Sequence, residues 1–152
     1  MDAVENGLVE KEIELRQCIK ENTLADLHPH LSVCISPEMP VQDVIQTMVS
    51  KKIGAVLIIE NDKLIGIFSE RDIIHRIALQ YDEVAKQPIR DFMTPDPVKL
   101  SINDSIAFAL HHMDVGDYRH IPILDDQDRP TGIVAARDII RYIDHKCLAG
   151  PE

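Results

Sequence analysis

The chain has 152 residues, 45% of them hydrophobic and 28% charged, with a formal charge of −10. That is the composition of an ordinary globular protein, one compact domain or two tightly fused halves. So acidic a surface repels nucleic-acid backbones and anionic lipid heads, no apolar run approaches the roughly 18 residues of a membrane span, and the start MDAVENGLVEKE carries no secretory signal, so neither nucleic acid nor membrane is an expected partner and the expected location is cytoplasmic.

Residues 1–26 read as an N-terminal helical extension, with a helix over about 5–21 whose apolar residues are Leu8, Ile13, Leu15 and Ile19. Cys18, Cys34 and Cys147 are far apart and in no CxxC pair, so three reduced, mostly buried thiols are expected rather than a disulfide or a zinc site. Residues 27–80 form a first unit. It holds a short extended piece (VCIS) and a helix over Val41–Lys51 with Val41, Val44, Ile45, Met48 and Val49 at helical spacing. The β-rich run AVLII follows, then the polar turn Glu60-Asn61-Asp62-Lys63, the run LIGIF, and a second helix from Glu70 to Leu79 with Ile73, Ile74 and Ile77 on one face. Residues 81–96 are a linker. Residues 97–147 repeat the plan: VKLS, a helix near Asp104–Val115, HIPIL, the turn DDQD, GIV, and a helix from about Ala136 to Lys146, before a tail over 148–152.

The two units superpose as sequence at an offset of about 65 residues. Val33 falls on Val98, Ser36 on Ser101, Met48 on Met113 and Ile58 on Ile123; after one extra residue in a turn, Gly66 meets Gly132, Arg71 meets Arg137 and Asp72 meets Asp138. One unit is too small to bury both faces of its sheet, so two copies packed sheet to sheet about a pseudo-two-fold axis are expected.

The most similar stretches are GIFSERD (66–72) and GIVAARD (132–138), each a strand-to-helix corner. In the first, Ser69 stands at an N-cap with Asp72 three residues later, a capping-box spacing that can simply start a helix. The same corner offers unpaired N–H groups, a hydroxyl and Arg71 to a phosphate, while Asp72 can accept from a pair of ribose hydroxyls. The second corner has Ala135 in place of the hydroxyl.

Together these features resemble a tandem pair of cystathionine β-synthase (CBS) domains, a Bateman module. The family pattern of Gly, apolar, any residue, Ser/Thr, two residues, Asp/Asn is matched fully by Gly66 to Asp72 and, except at Ala135, by Gly132 to Asp138. The aromatic-to-Pro pattern is matched by Tyr118-Arg119-His120-Ile121-Pro122, whereas Ile53-Gly54-Ala55-Val56-Leu57 lacks the Pro; Phe92-Met93-Thr94-Pro95 is a family-type lead into the second unit. The resemblance implies an α+β fold, two β-α-β-β-α repeats packed sheet to sheet, here with an added N-terminal helix. It also implies a regulatory rather than catalytic role, with an adenosine-containing ligand (AMP, ADP, ATP, S-adenosylmethionine or NAD) between the repeats.

In such pairs each cleft takes its Ser-x-x-Asp corner from one repeat and its strand motif from the other. The main cleft is therefore expected to combine Ser69, Arg71 and Asp72 with Thr94, Val98, Tyr118, Arg119, His120, Ile121 and Pro122. Asp72 would hold the ribose, Ser69 and Arg71 a phosphate, Arg119 and His120 outer phosphates, and Thr94 with the backbone near Val98 and Ile121 the base. A second, degenerate cleft would combine Arg137 and Asp138 with Gly54, Ala55 and Val56; Pro29 stands there where Thr94 stands in the first. A homodimer and a separate effector protein are the expected partners. His28 and His30 form a short H-x-H without further ligands, and no G-x-S-x-G, P-loop or H-E-x-x-H is present, so neither a metal site nor catalytic residues are expected. An adenine nucleotide (AMP, ADP or ATP) is the expected ligand; the alternatives are a ligand-free dimerisation or interaction module and an S-adenosylmethionine or NAD sensor.

Overall fold

The computed structural model describes residues 2–148; of the tail over 148–152, only Leu148 falls among them. Helix α1 (Ala3–Glu21) comes first. The first repeat follows as β1 (Cys34–Ile35), α2 (Val41–Lys51), β2 (Ala55–Glu60), β3 (Lys63–Ser69) and a short turn of helix α3 (Glu70–Asp72). After α4 (Tyr81–Val84) and β4 (Thr94–Pro95) comes the second: β5 (Leu100–Ser101), α5 (Ile106–Gly116), β6 (His120–Leu124), β7 (Pro130–Ala135) and α6 (Ala136–Tyr142). The sheets run β1-β2-β3-β4 and β5-β6-β7, with a parallel first pair and an antiparallel hairpin in each.

Local chemistry sets the element ends. α2 stops at Lys52, whose left-handed backbone (φ 54°) returns its N–H to the Met48 and Val49 carbonyls. α5 starts where Ser105 accepts from the Phe108 N–H at 3.1 Å. Asn61 and Asp62 both have positive φ, as a two-residue hairpin turn requires. The matching turn of the second repeat carries the extra residue. There the Asp125 carboxylate accepts from the Gln127 and Arg129 amides at 2.8 and 2.9 Å.

Strand alternation divides the core. Val56, Ile58 and Phe68 face the helices of the first repeat, while Ala55, Leu57, Leu64 and Ile67 meet Leu124 of the second sheet, forming the layer between the sheets. The lead-in segments are exchanged. Leu24, ahead of the first repeat, is fully buried in the second repeat's core, and the Leu24 and Ala25 amides donate to the Asp104 and Ile102 carbonyls at 2.9 and 3.0 Å. Ile89, its counterpart in the linker, is fully buried in the first core beside Val84, and its amide donates to the Met39 carbonyl at 2.9 Å. The linker is thus structural, and β4 joins β3 through Gly66↔Pro95 and Ile67↔Thr94.

Several expectations need correction. The helix after Ser69 is not continuous: α3 gives way to a π-helical turn (Ile73–Ile77) and a 3₁₀ turn (Ala78–Gln80). Ile77 is buried, but Ile74 is exposed on the opposite side. On α1, Leu8 and Ile13 are exposed, whereas Leu15, Cys18 and Ile19 towards its end are part-buried.

The cysteine expectation is overturned. Cys18 and Cys147 form a disulfide with Cα atoms 6.0 Å apart, and Cys34 is exposed. A separation of 129 residues hid the fact that both lie where α1 meets the π-helical turn after α6 (Ile143–Cys147). Closing so long a loop stabilises the folded chain by about 5 kcal/mol in the chain-entropy description.

Two outcomes are expected. Cys147→Ser should accelerate amide hydrogen exchange over Ala3–Glu21 at least about tenfold; unchanged exchange in α1 would show that packing alone holds it. Leu24→Ala should cost about 3 kcal/mol in urea denaturation despite lying outside the second repeat's sequence.

Candidate ligand-binding cleft

A cleft of about 850 Å³ opens between the repeats, lined on one side by Ser69, Arg71, Asp72, His75 and Arg76 and on the other by Val98, Asp117, Tyr118, Arg119 and His120, with Thr94 between. Asp72 anchors it. It is the buried charged residue among those described, 8% exposed. One oxygen accepts from the Ser69 amide at 2.9 Å and the Ser69 hydroxyl at 3.3 Å, and the other accepts from the Thr94 hydroxyl at 3.2 Å. Thr94 reaches it because β4 lies beside β3. A Cβ on Gly66 would meet the Met93 side chain and come within 3.1 Å of the Thr94 carbonyl oxygen, so glycine permits that approach. Arg76, one turn on, stands 3.7 Å from Asp72 and donates to the Phe92 and Met93 carbonyls at 3.2 and 2.9 Å. Oδ1, which accepts from Thr94, still has lone-pair capacity for a hydroxyl donor, while Oδ2 already accepts twice from Ser69.

Across the cleft, a missing N–H changes what the wall offers. In the first repeat the Leu57 amide donates to the Val33 carbonyl at 2.9 Å. Pro122 stands at the equivalent position and has no N–H. Pairing of β5 with β6 accordingly begins at Leu100↔Ile123, one residue later than Cys34↔Leu57 in the first repeat. The Val98 carbonyl has no hydrogen-bond partner among the described residues, and Val98 is 37% exposed in the cleft wall.

The cations are disposed unequally. Arg71 is held by Asp117, whose carboxylate accepts at 2.9 Å and whose carbonyl accepts a second, close bond. That bond lowers the Asp117 pKa and raises that of Arg71. Arg119 makes no ion pair among the described residues. His120 packs so close to the first repeat that a Cβ on Gly54 would lie 3.0 Å from its Nε2. Burial pushes its pKa down, against a weaker upward pull from Glu70 and Asp138.

Of the residues expected in the main cleft, Ser69, Arg71, Asp72, Thr94, Val98, Tyr118, Arg119 and His120 all line it. Ile121 and Pro122 do not: Ile121 is fully buried facing the helices, and Pro122 is buried in the strand. Gly54, Ala55, Val56, Arg137 and Asp138, expected in the second cleft, line neither the main cleft nor the smaller cavity bounded by Pro29, Asp125 and Thr131. Ala55 and Val56 are buried in the sheet, and the Asp138 carboxylate accepts from the Ala135 amide at 3.2 Å, serving as a helix-start acceptor. The His30 carbonyl oxygen lies 3.0 Å from where a Gly132 Cβ would stand, so the first lead-in passes Gly132 as the second passes Gly66, without bringing the hydroxyl of Thr94. Sequence reasoning missed Arg76 and Asp117. Arg76 was within reach, four residues after Asp72 on one helical face; Asp117 carried no signal beyond preceding Tyr118.

A family model described as the CBS domain matches residues 26–79 and 89–145. The chain belongs to the CBS-domain family, as a tandem pair. Among curated proteins it is similar to the CBS domain-containing protein CBSCBSPB5 of Arabidopsis thaliana, 29% identical over 88% of this chain and 24% of that protein. It spans about a quarter or less of the length of the plant relatives it matches. Among solved structures it resembles the CBS-domain protein ATU1752 from Agrobacterium tumefaciens (27% identity, TM-score 0.71, 78% of this chain and 94% of that one). It shares the fold of CBSX2 in complex with AMP (20%, TM-score 0.65, 78% and 93%) and of the MJ0100 CBS pair in complex with 5-methylthioadenosine and S-adenosyl-L-methionine (21%, TM-score 0.71, 80% and 99%).

The environment of His120 predicts a pH effect. Folded His120 resists protonation, whereas the unfolded residue takes up a proton near its ordinary value of about 6.5. The unfolded state therefore binds more protons below that value, and stability falls as pH falls. The urea midpoint should drop between about pH 6.5 and pH 5, and His120→Gln should remove part of that slope; an identical slope in the variant would count against this role.

Proposed function

We propose that this chain is a non-catalytic regulatory CBS pair that binds one adenosine-containing ligand, an adenine nucleotide (AMP, ADP or ATP), in the cleft built on Asp72, and signals to a separate effector protein from a cytoplasmic homodimer. The reading is carried by the asymmetry of the two corners. At one, a buried carboxylate with spare acceptor capacity faces a carbonyl without a partner among the described residues and a group of cations; at the other, both hydroxyls are missing and Asp138 accepts from the Ala135 amide. In this reading Asp72 accepts from the ribose hydroxyls and the Val98 carbonyl accepts from the adenine amino group. Ser69 and Arg71 hold the first phosphate, with Arg119 and His120 beyond it. Thr94 and Tyr118 frame base and ribose. Occupancy would fix the two repeats relative to each other, and a partner that senses that geometry would be regulated through differential affinity. The AMP complex of CBSX2 and the 5-methylthioadenosine and S-adenosyl-L-methionine complex of MJ0100 support the adenosine class.

Calorimetric titration of nucleotide-stripped protein with AMP, ADP, ATP, NAD and S-adenosylmethionine tests this, beside Asp72→Asn and Asp138→Asn. Asparagine keeps an acceptor for the helix start and so separates ligand loss from unfolding. One site per chain is expected, weakened at least about tenfold by Asp72→Asn, the loss of a charge-assisted hydrogen bond, and kept in Asp138→Asn. A preference for S-adenosylmethionine or NAD would move the ligand within the adenosine class. No binding by folded protein would leave a ligand-free assembly module.

A further inference from the structure

We propose that Asp117 is a specificity-determining residue: an internal anion that occupies the Arg71 guanidinium, so that a ligand phosphate has to displace it. The inference rests on the nucleotide reading above. Arg71 belongs to the helical turn after β3 in the first repeat, and Asp117 caps the C-terminus of α5 in the second. In the resting cleft both arms of the Arg71 fork are spent on this one residue, Nη2 on its carboxylate at 2.9 Å and Nη1 on its carbonyl. A phosphate seeking the same bidentate geometry meets an occupied donor.

The pair can be displaced. Its side chains are 53% and 85% exposed, and such an ion pair contributes little in water. A phosphate offers more negative charge and more acceptor oxygens than the single carboxylate oxygen and carbonyl it replaces. Asp117 is also flanked by Arg119 and His75, both acting to keep its carboxyl ionised. Two guanidinium groups, Arg71 and Arg119, thus lie near one carboxylate where the outer phosphates of a nucleotide would lie. Adenosine, lacking a phosphate, has no need to break the pair. Asp117 therefore weakens phosphorylated ligands selectively and leaves the nucleoside affinity alone.

The backbone at Asp117 is left-handed (φ 53°, ψ 47°), a conformation asparagine also tolerates, so Asp117→Asn removes the charge without disturbing the cap. Asp114→Asn is the control: it removes the same charge from an exposed position three residues away that does not line the cleft. AMP, adenosine and inorganic pyrophosphate would be titrated into wild type and both variants, with calorimetry and the Arg71 Nε–H NMR signal as readouts. AMP and pyrophosphate should bind about three- to tenfold more tightly to Asp117→Asn, with adenosine unchanged and Asp114→Asn like wild type. The inference is overturned if AMP gains nothing, if adenosine gains as much as AMP, or if Asp114→Asn reproduces the effect. If no nucleoside or nucleotide binds any of the proteins, the nucleotide reading fails and pyrophosphate alone decides. A tighter pyrophosphate-dependent shift of Arg71 in Asp117→Asn then upholds the displaced pair, and an equal shift in all three proteins rejects it.

Discussion

The exchange of lead-in segments is the constraint on which the rest of this structure depends. Leu24 precedes the first repeat and completes the second core; Ile89 precedes the second and completes the first. Neither repeat can close its helix-side core without chain borrowed from the other's approach. Burying a leucine or isoleucine side chain is worth about 1.5–3 kcal/mol, so each lead-in is held by hydrophobic burial as well as by its backbone bonds. Once Ile89 is fixed, the chain that follows has one short path, along the edge of β3. That path becomes β4 and delivers the Thr94 hydroxyl to Asp72 at 3.2 Å. A core-packing requirement thus builds the floor of the cleft.

The same exchange acts at the other corner with a different result, because Pro29 and His30 follow Leu24 where Met93 and Thr94 follow Ile89. No hydroxyl is delivered to Asp138, and Ala135 offers none from the corner itself. Asp138 is left with the Ala135 amide, while Asp72 is enclosed by donors from two elements. On the facing wall, the Leu57 amide donates to the Val33 carbonyl, while Pro122 leaves the Val98 carbonyl without a partner among the described residues. The two halves of a pseudo-symmetric core keep the same fold through different side chains. The substitutions that distinguish them fall on groups the sheet does not need for packing.

The legible parts of the sequence were those governed by local chemistry. Val41–Lys51 was readable because its buried residues Val41, Val44 and Met48 fall at helical spacing. The corner at Ser69–Asp72 was readable because a capping box is a local pattern, and the repeat offset placed its partner. What stayed hidden was set by contacts distant in sequence. Leu24 reads as one more apolar residue near a helix end, and nothing local says which core it enters. Cys18 and Cys147 are brought together by the docking of the first helix on the last. The break of the helix after Asp72 into a π-helical turn followed from tertiary packing: Ile77 is drawn into the first core while Ile74 is left facing the cleft. Pro122 was legible as part of the family pattern, but the consequence of its missing N–H for the strand facing it depends on pairing that the sequence does not display.

A chain of charge −10 that gathers cations into one cleft has to keep them from pairing off completely. The cleft does so by assigning acceptors unevenly. Arg76 is spent on the Phe92 and Met93 carbonyls and on Asp72, which makes it part of the scaffold. His120 is kept neutral by burial, so it adds hydrogen-bonding capacity with little charge at neutral pH. Arg71 is engaged through an exposed pair, and Arg119 is left without an acidic partner among the described residues. The anion-attracting power of the cleft therefore resides in two arginines, one unpaired and one held by a bond that water already weakens. Net charge governs what approaches the protein from a distance; beyond a Debye length of about 8 Å the cleft is not distinguished from its acidic surroundings. In the reading proposed above, selection among small anions would fall to contact range, where the geometry of the Arg71 fork counts for more than the sum of charges.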